Sequence, residues 1–223
     1  MQEAITAITS RPLYPSLEVV LHETSWQFWR KNVGEDQWTI GFTSDSEYIL
    51  SFEGYFLLIS LMEEMQTKHD TLVCVHEDLE EFDNTLVLLH TLASTFLSII
   101  QHKLSVAPTS ADTMLPRVER LVQALSFSEA QKLSLLYIIV CQTGREIGQR
   151  SAPTVGTMAR YARLEPGQVA SFLSPQDNPL VATSIITVDE QYRDSLALSV
   201  LKMSTEALHA LVGGSLSTKA FLK

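Results

Sequence analysis

The residues that could carry chemistry in this chain are few and poorly grouped. His69, Asp70, Cys74 and His76 form the tightest polar cluster. Zinc sites usually present paired ligands as C-x-x-C or H-x-x-x-H, and the spacing His69-x6-His76 is neither. The acids Glu77, Asp78, Glu80, Glu81 and Asp83 could hold a metal or a basic partner. They read more simply as a solvated face near a helix start, where the dipole favours negative charge. His22, His90, His102 and His209 are scattered. There is no G-x-S-x-G elbow and no Gly-rich phosphate loop; Gly213–Gly214–Ser215 through Lys219 has neither the spacing nor the Ser/Thr of a Walker motif. No catalytic, cofactor-binding or metal-ligating residue is therefore assigned. Trp26, Phe28, Trp29 and Trp38 could line a pocket, but read as anchors between neighbouring elements.

One cationic group stands out. Arg145, Arg150, Arg160 and Arg163 face only Glu146 between positions 143 and 163. Together with Gln168 they are the candidate contacts for a nucleic acid or a protein partner. Charge elsewhere opposes the first choice. Positions 1–100 hold 16 acids against 4 bases, and positions 101–223 hold 10 against 12, for a net −10 overall. Only the second half could approach a phosphate backbone.

Composition is globular: 45% of the 223 residues are hydrophobic and 19% charged, enough apolar material for one large core or two smaller ones. Cys74 and Cys141 lie in apolar helix-like runs, which points to buried free thiols in a reducing compartment. The amino terminus lacks a secretory pattern, and the longest apolar run, 135–141, is far shorter than a bilayer span. These features predict a soluble, cytoplasmic chain with no membrane contact.

The elements follow from periodicity. A helix is expected from Ser16 to about Asn32, and another from Ser44–Asp45–Ser46 to Met65, apolar at Tyr48, Ile49, Phe52, Tyr55, Phe56, Ile59 and Met62. Leu72, Val75, Leu79, Phe82, Leu86, Leu89, Ala93, Phe96 and Ile100 keep a heptad spacing, which predicts one helix from Asp70 to Leu104. Leu88, Leu92 and Ile99 widen its stripe, so an antiparallel bundle is favoured over self-association through 70–104. SVAPTSADT, residues 105–113, reads as a connection. The expected organisation is an acidic helical bundle over 1–105, a linker over 106–114 and a second domain over 115–223.

In that second part, helices are expected at 115–125, at Glu129–Thr143 behind a Ser128 cap, at 154–163 behind Thr154, and at Pro166–Leu173. Leu180–Val188 and Ser195–Met203 read as two strands joined by a polar turn, and Ser204 caps a last helix to Val212. Helix, turn, helix and hairpin in this order make a winged helix-turn-helix. The expected fold class is mainly α: a helical bundle followed by a winged helix-turn-helix with a small β-hairpin wing.

The run TVGTMARYARLEPGQVASFLSPQDNPLVATSIITVD, with LKMSTEALHALVGGSLS after it, resembles the winged-helix segment that precedes the ATPase module of a group of AAA+ ATPases. The matching features are Leu173–Ser174–Pro175, Asn178–Pro179–Leu180, and Met203–Ser204 through Gly213–Gly214, within about 128–217. The resemblance implies a helical amino-terminal region and an ATPase module following Lys223. The function it implies is a non-catalytic interaction or regulatory region that recruits a protein partner or client. The alternative is a winged-helix DNA-binding transcriptional regulator. It is disfavoured by charge, because the helix expected to enter the major groove, Pro166–Leu173, offers Gln168 and Ser171 but no Lys or Arg.

Overall fold

A computed structural model describes residues 41–73, 80–106, 114–143, 153–189 and 196–212, with only the backbone of 71–73. Among these residues the chain is mainly helical, with one small two-stranded antiparallel hairpin. The first helix, α1 (Asp45–Val73), starts where Ser44 Oγ accepts the Glu47 N–H at 3.1 Å. It does not stop near Met65. No Gly or Pro interrupts 66–69, and pairs one turn apart, Lys68 to Glu64 at 2.7 Å and Gln66 to Asp70 at 2.8 Å, bridge the expected gap. Residues 70–73 consequently belong to α1, whereas the heptad spacing predicts them at the head of the next helix.

That helix, α2, runs from Glu80 to Val106, so the expected linker begins later than 105. Phe82, Leu89, Ala93, Phe96 and Ile100 of the heptad seam are buried, as are the flanking Leu88, Leu92 and Ile99. By length and composition α2 could cross a bilayer. Within this chain, 44% of its most apolar window is buried. The helix expected at 16–32 with its tryptophans, the side chains of Leu72, Val75 and Leu79, and residues 107–113 of the linker lie outside the described residues.

The described residues fall into two units that part after Val106, and the second unit also takes in Phe42–Glu53. One holds Gly54–Val106; the other joins Phe42–Glu53 to residues 114–212. The first turns of α1 thus belong to the second unit. The reason is side-chain chemistry: Asp45 and Tyr48 find their partners on the helix that begins at residue 117.

The second unit continues with α3 (Arg117–Ala124), α4 (Glu129–Thr143), α5 (Val155–Tyr161), α6 (Pro166–Leu173) and α7 (Pro179–Ala182). The hairpin strands β1 (Ile186–Asp189) and β2 (Val200–Met203) follow, and then α8 (Thr205–Val212). Ser128 and Gln131 cap α4 reciprocally, with the Ser128 N–H donating to Gln131 Oε1 at 2.9 Å and the Gln131 N–H to Ser128 Oγ at 3.3 Å. Leu135 through Val140 are all fully buried, not one stripe of them, so α4 is the central element. α5, α6 and β2 pack against it. Tyr137 meets Tyr161 of α5 edge-on, at 5.2 Å between ring centroids.

The hairpin pairs Ile186 with Met203 and Asp189 with Val200. The other edge of β2 is closed by Thr154, which bridges Val200, by a Leu201 N–H to Pro153 carbonyl bond of 2.7 Å, and by the Gln142 amide. Gln142 Oε1 accepts the Met203 N–H at 2.9 Å, and its Nε2 donates to the Met203 carbonyl at 3.3 Å. Both strands are shorter than expected. Residues 180–182 are helical because Asn178 and Pro179 outweigh the β-branched residues after them: Asn178 Oδ1 accepts the Leu180 N–H at 3.0 Å, and Pro179 sits at the first helical position. Leu196–Leu198 form a 3-10 turn in place of strand. Ser204 caps α8 as its position predicts, with Oγ 3.3 Å from the Ala207 N–H.

Candidate functional site

The exposed side of α5 and α6 is where most of the candidate contact residues fall. Thr154 and Thr157 form a reciprocal cap that starts α5: Thr154 Oγ1 accepts the Thr157 N–H at 3.1 Å, and the Thr154 N–H donates to Thr157 Oγ1 at 3.0 Å. α5 ends in a left-handed residue, Arg163 at φ 53°, with the Leu164 N–H reaching back to the Ala159 carbonyl at 2.7 Å. This stop exposes Arg163 and turns the chain into α6, while Arg160, also exposed, sits in the last turn of α5. Gln168 is exposed too, but its Oε1 is occupied by the Glu165 N–H at 2.8 Å, so it serves as the start of α6. Arg145 and Arg150 lie outside the described residues.

Phe172, fully buried, fixes α6 to the core. Outward, α6 presents Pro166, Gly167, Gln168 and Ala170, all exposed and none charged. A side chain built at Gly167 would meet nothing within 4 Å. Beside the hairpin, Leu196 and Leu198 are 57% and 53% exposed, unusual for leucines next to a core. Lys202 on β2 is paired with Asp189 at 3.0 Å, which offsets its charge locally. The outer face of α6 is thus small and uncharged, two exposed arginines stand at the end of α5, and the turn at 196–198 packs against α5.

The metal-type cluster does not assemble among the described residues. His69 lies between two carboxylates, with Nδ1 3.5 Å from Asp70 and Nε2 3.3 Å from Asp83. No three His, Cys, Asp or Glu residues described there could hold an ion together. Cys74, His76, Glu77 and Asp78 lie outside the described residues. Cys141 is buried and unpaired in α4, and burial pushes its thiol up to about 12.

A second polar constellation escapes sequence reasoning altogether. Lys132, in the first turn of α4, reaches Glu119 of α3 at 2.7 Å and Glu129 at 3.6 Å. Tyr48 of α1 donates its hydroxyl to Glu119. Tyr48 is 0% exposed, Glu119 6% and Lys132 7%, so no solvent or substrate reaches them. Burial, and then the Glu119 charge, hold the Tyr48 phenol well above its ordinary range. The acid, base and phenol of this group could in principle exchange protons. Sealed in this way, they instead fasten three helices.

No protein-family model, no curated protein and no solved structure matches the chain.

Proposed function

We propose that residues 129–212 form a winged helix-turn-helix, and that the chain is a non-catalytic interaction region associated with an AAA+ ATPase. The proposed partner is a protein, met through the outer face of α6. The order α4, an extended 153–154, α5, α6, β1 and β2, with β2 lying between 153–154 and β1, supports the winged-helix reading. The AAA+ association rests on the sequence resemblance alone.

One observation carries the choice of a protein over DNA. The helix that would enter a major groove exposes Pro166, Gly167, Gln168 and Ala170, no cation among them, and the one amide on it already caps its own helix. Affinity for duplex DNA depends on neutralising phosphates, and direct reading needs long polar side chains free to reach base edges. Exposed Arg160 and Arg163 favour the second reading, a DNA-binding regulator.

A titration of the chain against labelled duplex at low salt separates the two. The expected result is weak binding that Arg160→Ala with Arg163→Ala leaves unchanged; tight binding abolished by that pair would establish the DNA reading instead. A photo-crosslinking side chain at Gly167, where there is open space, is expected to capture a protein in the native cell. If no AAA+ module shares the reading frame and none is captured, the AAA+ association fails.

A further inference from the structure

Independently of what the α6 face binds, a single carboxylate near the start of α1 holds an arginine that also bonds to the last helix of the same unit. α3 begins after Pro116, which makes no side-chain cap bond. Its first N–H is met from elsewhere: Asp45 Oδ1 accepts the Arg117 N–H at 2.7 Å, across 72 positions of sequence. The other oxygen, Asp45 Oδ2, takes Arg117 Nε at 3.2 Å. The Asp45 side chain is 6% exposed and that of Arg117 23%, so water competes little for either. Another arm of the guanidinium, Nη1, donates to the carbonyl of Ala210 in α8 at 2.8 Å.

Ala210 lies among the last four residues of α8, whose carbonyls have no N–H partner inside the helix. A cation at that end also complements the helix dipole. At eight residues, α8 is too short to hold itself, and its last turn needs an outside partner. Arg117 supplies one, and its guanidinium holds the carboxylate and the carbonyl on two separate nitrogens, a spread that the single nitrogen of an ammonium lacks. We infer that Asp45, Arg117 and Ala210 form a conformational latch, in which the seating of the first turn of α1 sets whether the last turn of α8 stays closed. Release of Asp45 removes two of the bonds that seat Arg117, and α8 frays from its carboxy-terminal end.

Backbone hydrogen exchange on the full chain tests this. Asp45→Asn keeps the shape of the side chain but removes its charge. It is expected to raise exchange at 209–212 about tenfold, as does Arg117→Ala, with the amides of 135–140 in α4 unchanged. The double variant is expected to match Arg117→Ala alone, because both act through one contact. Arg117→Lys retains the charge opposite Asp45 but lacks the second arm, and is expected to open 209–212 in the same way. The latch is overturned if Asp45→Asn leaves 209–212 protected while Arg117→Ala exposes them. It is equally overturned if Arg117→Lys leaves 209–212 protected, or if exchange rises equally in α4, since then no local coupling exists.

Discussion

Two regions of the second unit use polar groups in opposite ways. Where α1, α3 and α4 meet, Asp45, Glu119 and Lys132 are each less than a tenth exposed, and each bonds to a different element. Around α5 and α6, Thr154, Thr157 and Gln168 bond within their own helix starts. A buried charge tolerates only the partner it has, so the first region specifies how helices are arranged. Local caps fix each helix without reference to anything beyond it, which leaves the outer face of α6 open to another molecule.

The largest expected effect comes from breaking the buried pair. Lys132→Met strands Glu119 and should destabilise the chain by about 3–5 kcal/mol, whereas Lys132→Met with Glu119→Leu should cost far less. Denaturant unfolding of the two variants measures this; equal losses would mean that the pair is no more than packing.

Alkaline pH probes the same region. The folded-state values of Tyr48 and Cys141 are raised, so the unfolded chain releases these protons first. Stability is therefore fully present below pH 9.0, the ordinary thiol value, and falls as pH rises towards about 12. The slope is about 1.4 kcal/mol per pH unit for each group while only the unfolded form is ionised. Tyr48→Phe should flatten that fall above pH 10.0, the ordinary phenol value, in a series of unfolding curves against pH. An unchanged slope would show that the phenol is not sealed.

On the open side the effects are smaller. Thr154→Ala removes a cap and should cost about 1 kcal/mol. Arg163→Gly relieves a left-handed backbone and should be neutral or stabilising by up to about 1 kcal/mol. Thermal unfolding reads both, and a loss above about 3 kcal/mol for either would erase the contrast drawn between the two regions.

What was legible in the sequence divides along the same line. Ser128 with Gln131, Thr154, Pro166 and Ser204 mark helix starts by signals within four residues, and the helices begin there. Nearest-neighbour signals misled where two competed. Val181 and Thr183 suggest strand, but Asn178 and Pro179 immediately before them nucleate α7. Leu196 and Leu198 alternate like a strand, yet both point into solvent from a 3-10 turn. The candidate contacts Arg160, Arg163 and Gln168 were visible as a charge imbalance and a helix position; that Gln168 caps its own helix was not. Nothing local announces that Lys132 answers an acid on α3, or that Asp45 belongs with Arg117. Such pairs exist only once distant segments have met.

The long-range cap on α3 also bears on the order in which the chain acquires structure. α3 has eight residues and no side chain of its own to begin it, so in isolation its first turn is disfavoured. The carboxylate that completes it arrives only after a loop of 72 positions has closed, an event slower than any local helix start. α4, capped by its immediate neighbours and fully buried over 135–140, starts without such a closure. α3 is accordingly a late-consolidating element laid against an early one, and substitutions at Asp45 act chiefly on how fast the native chain comes apart.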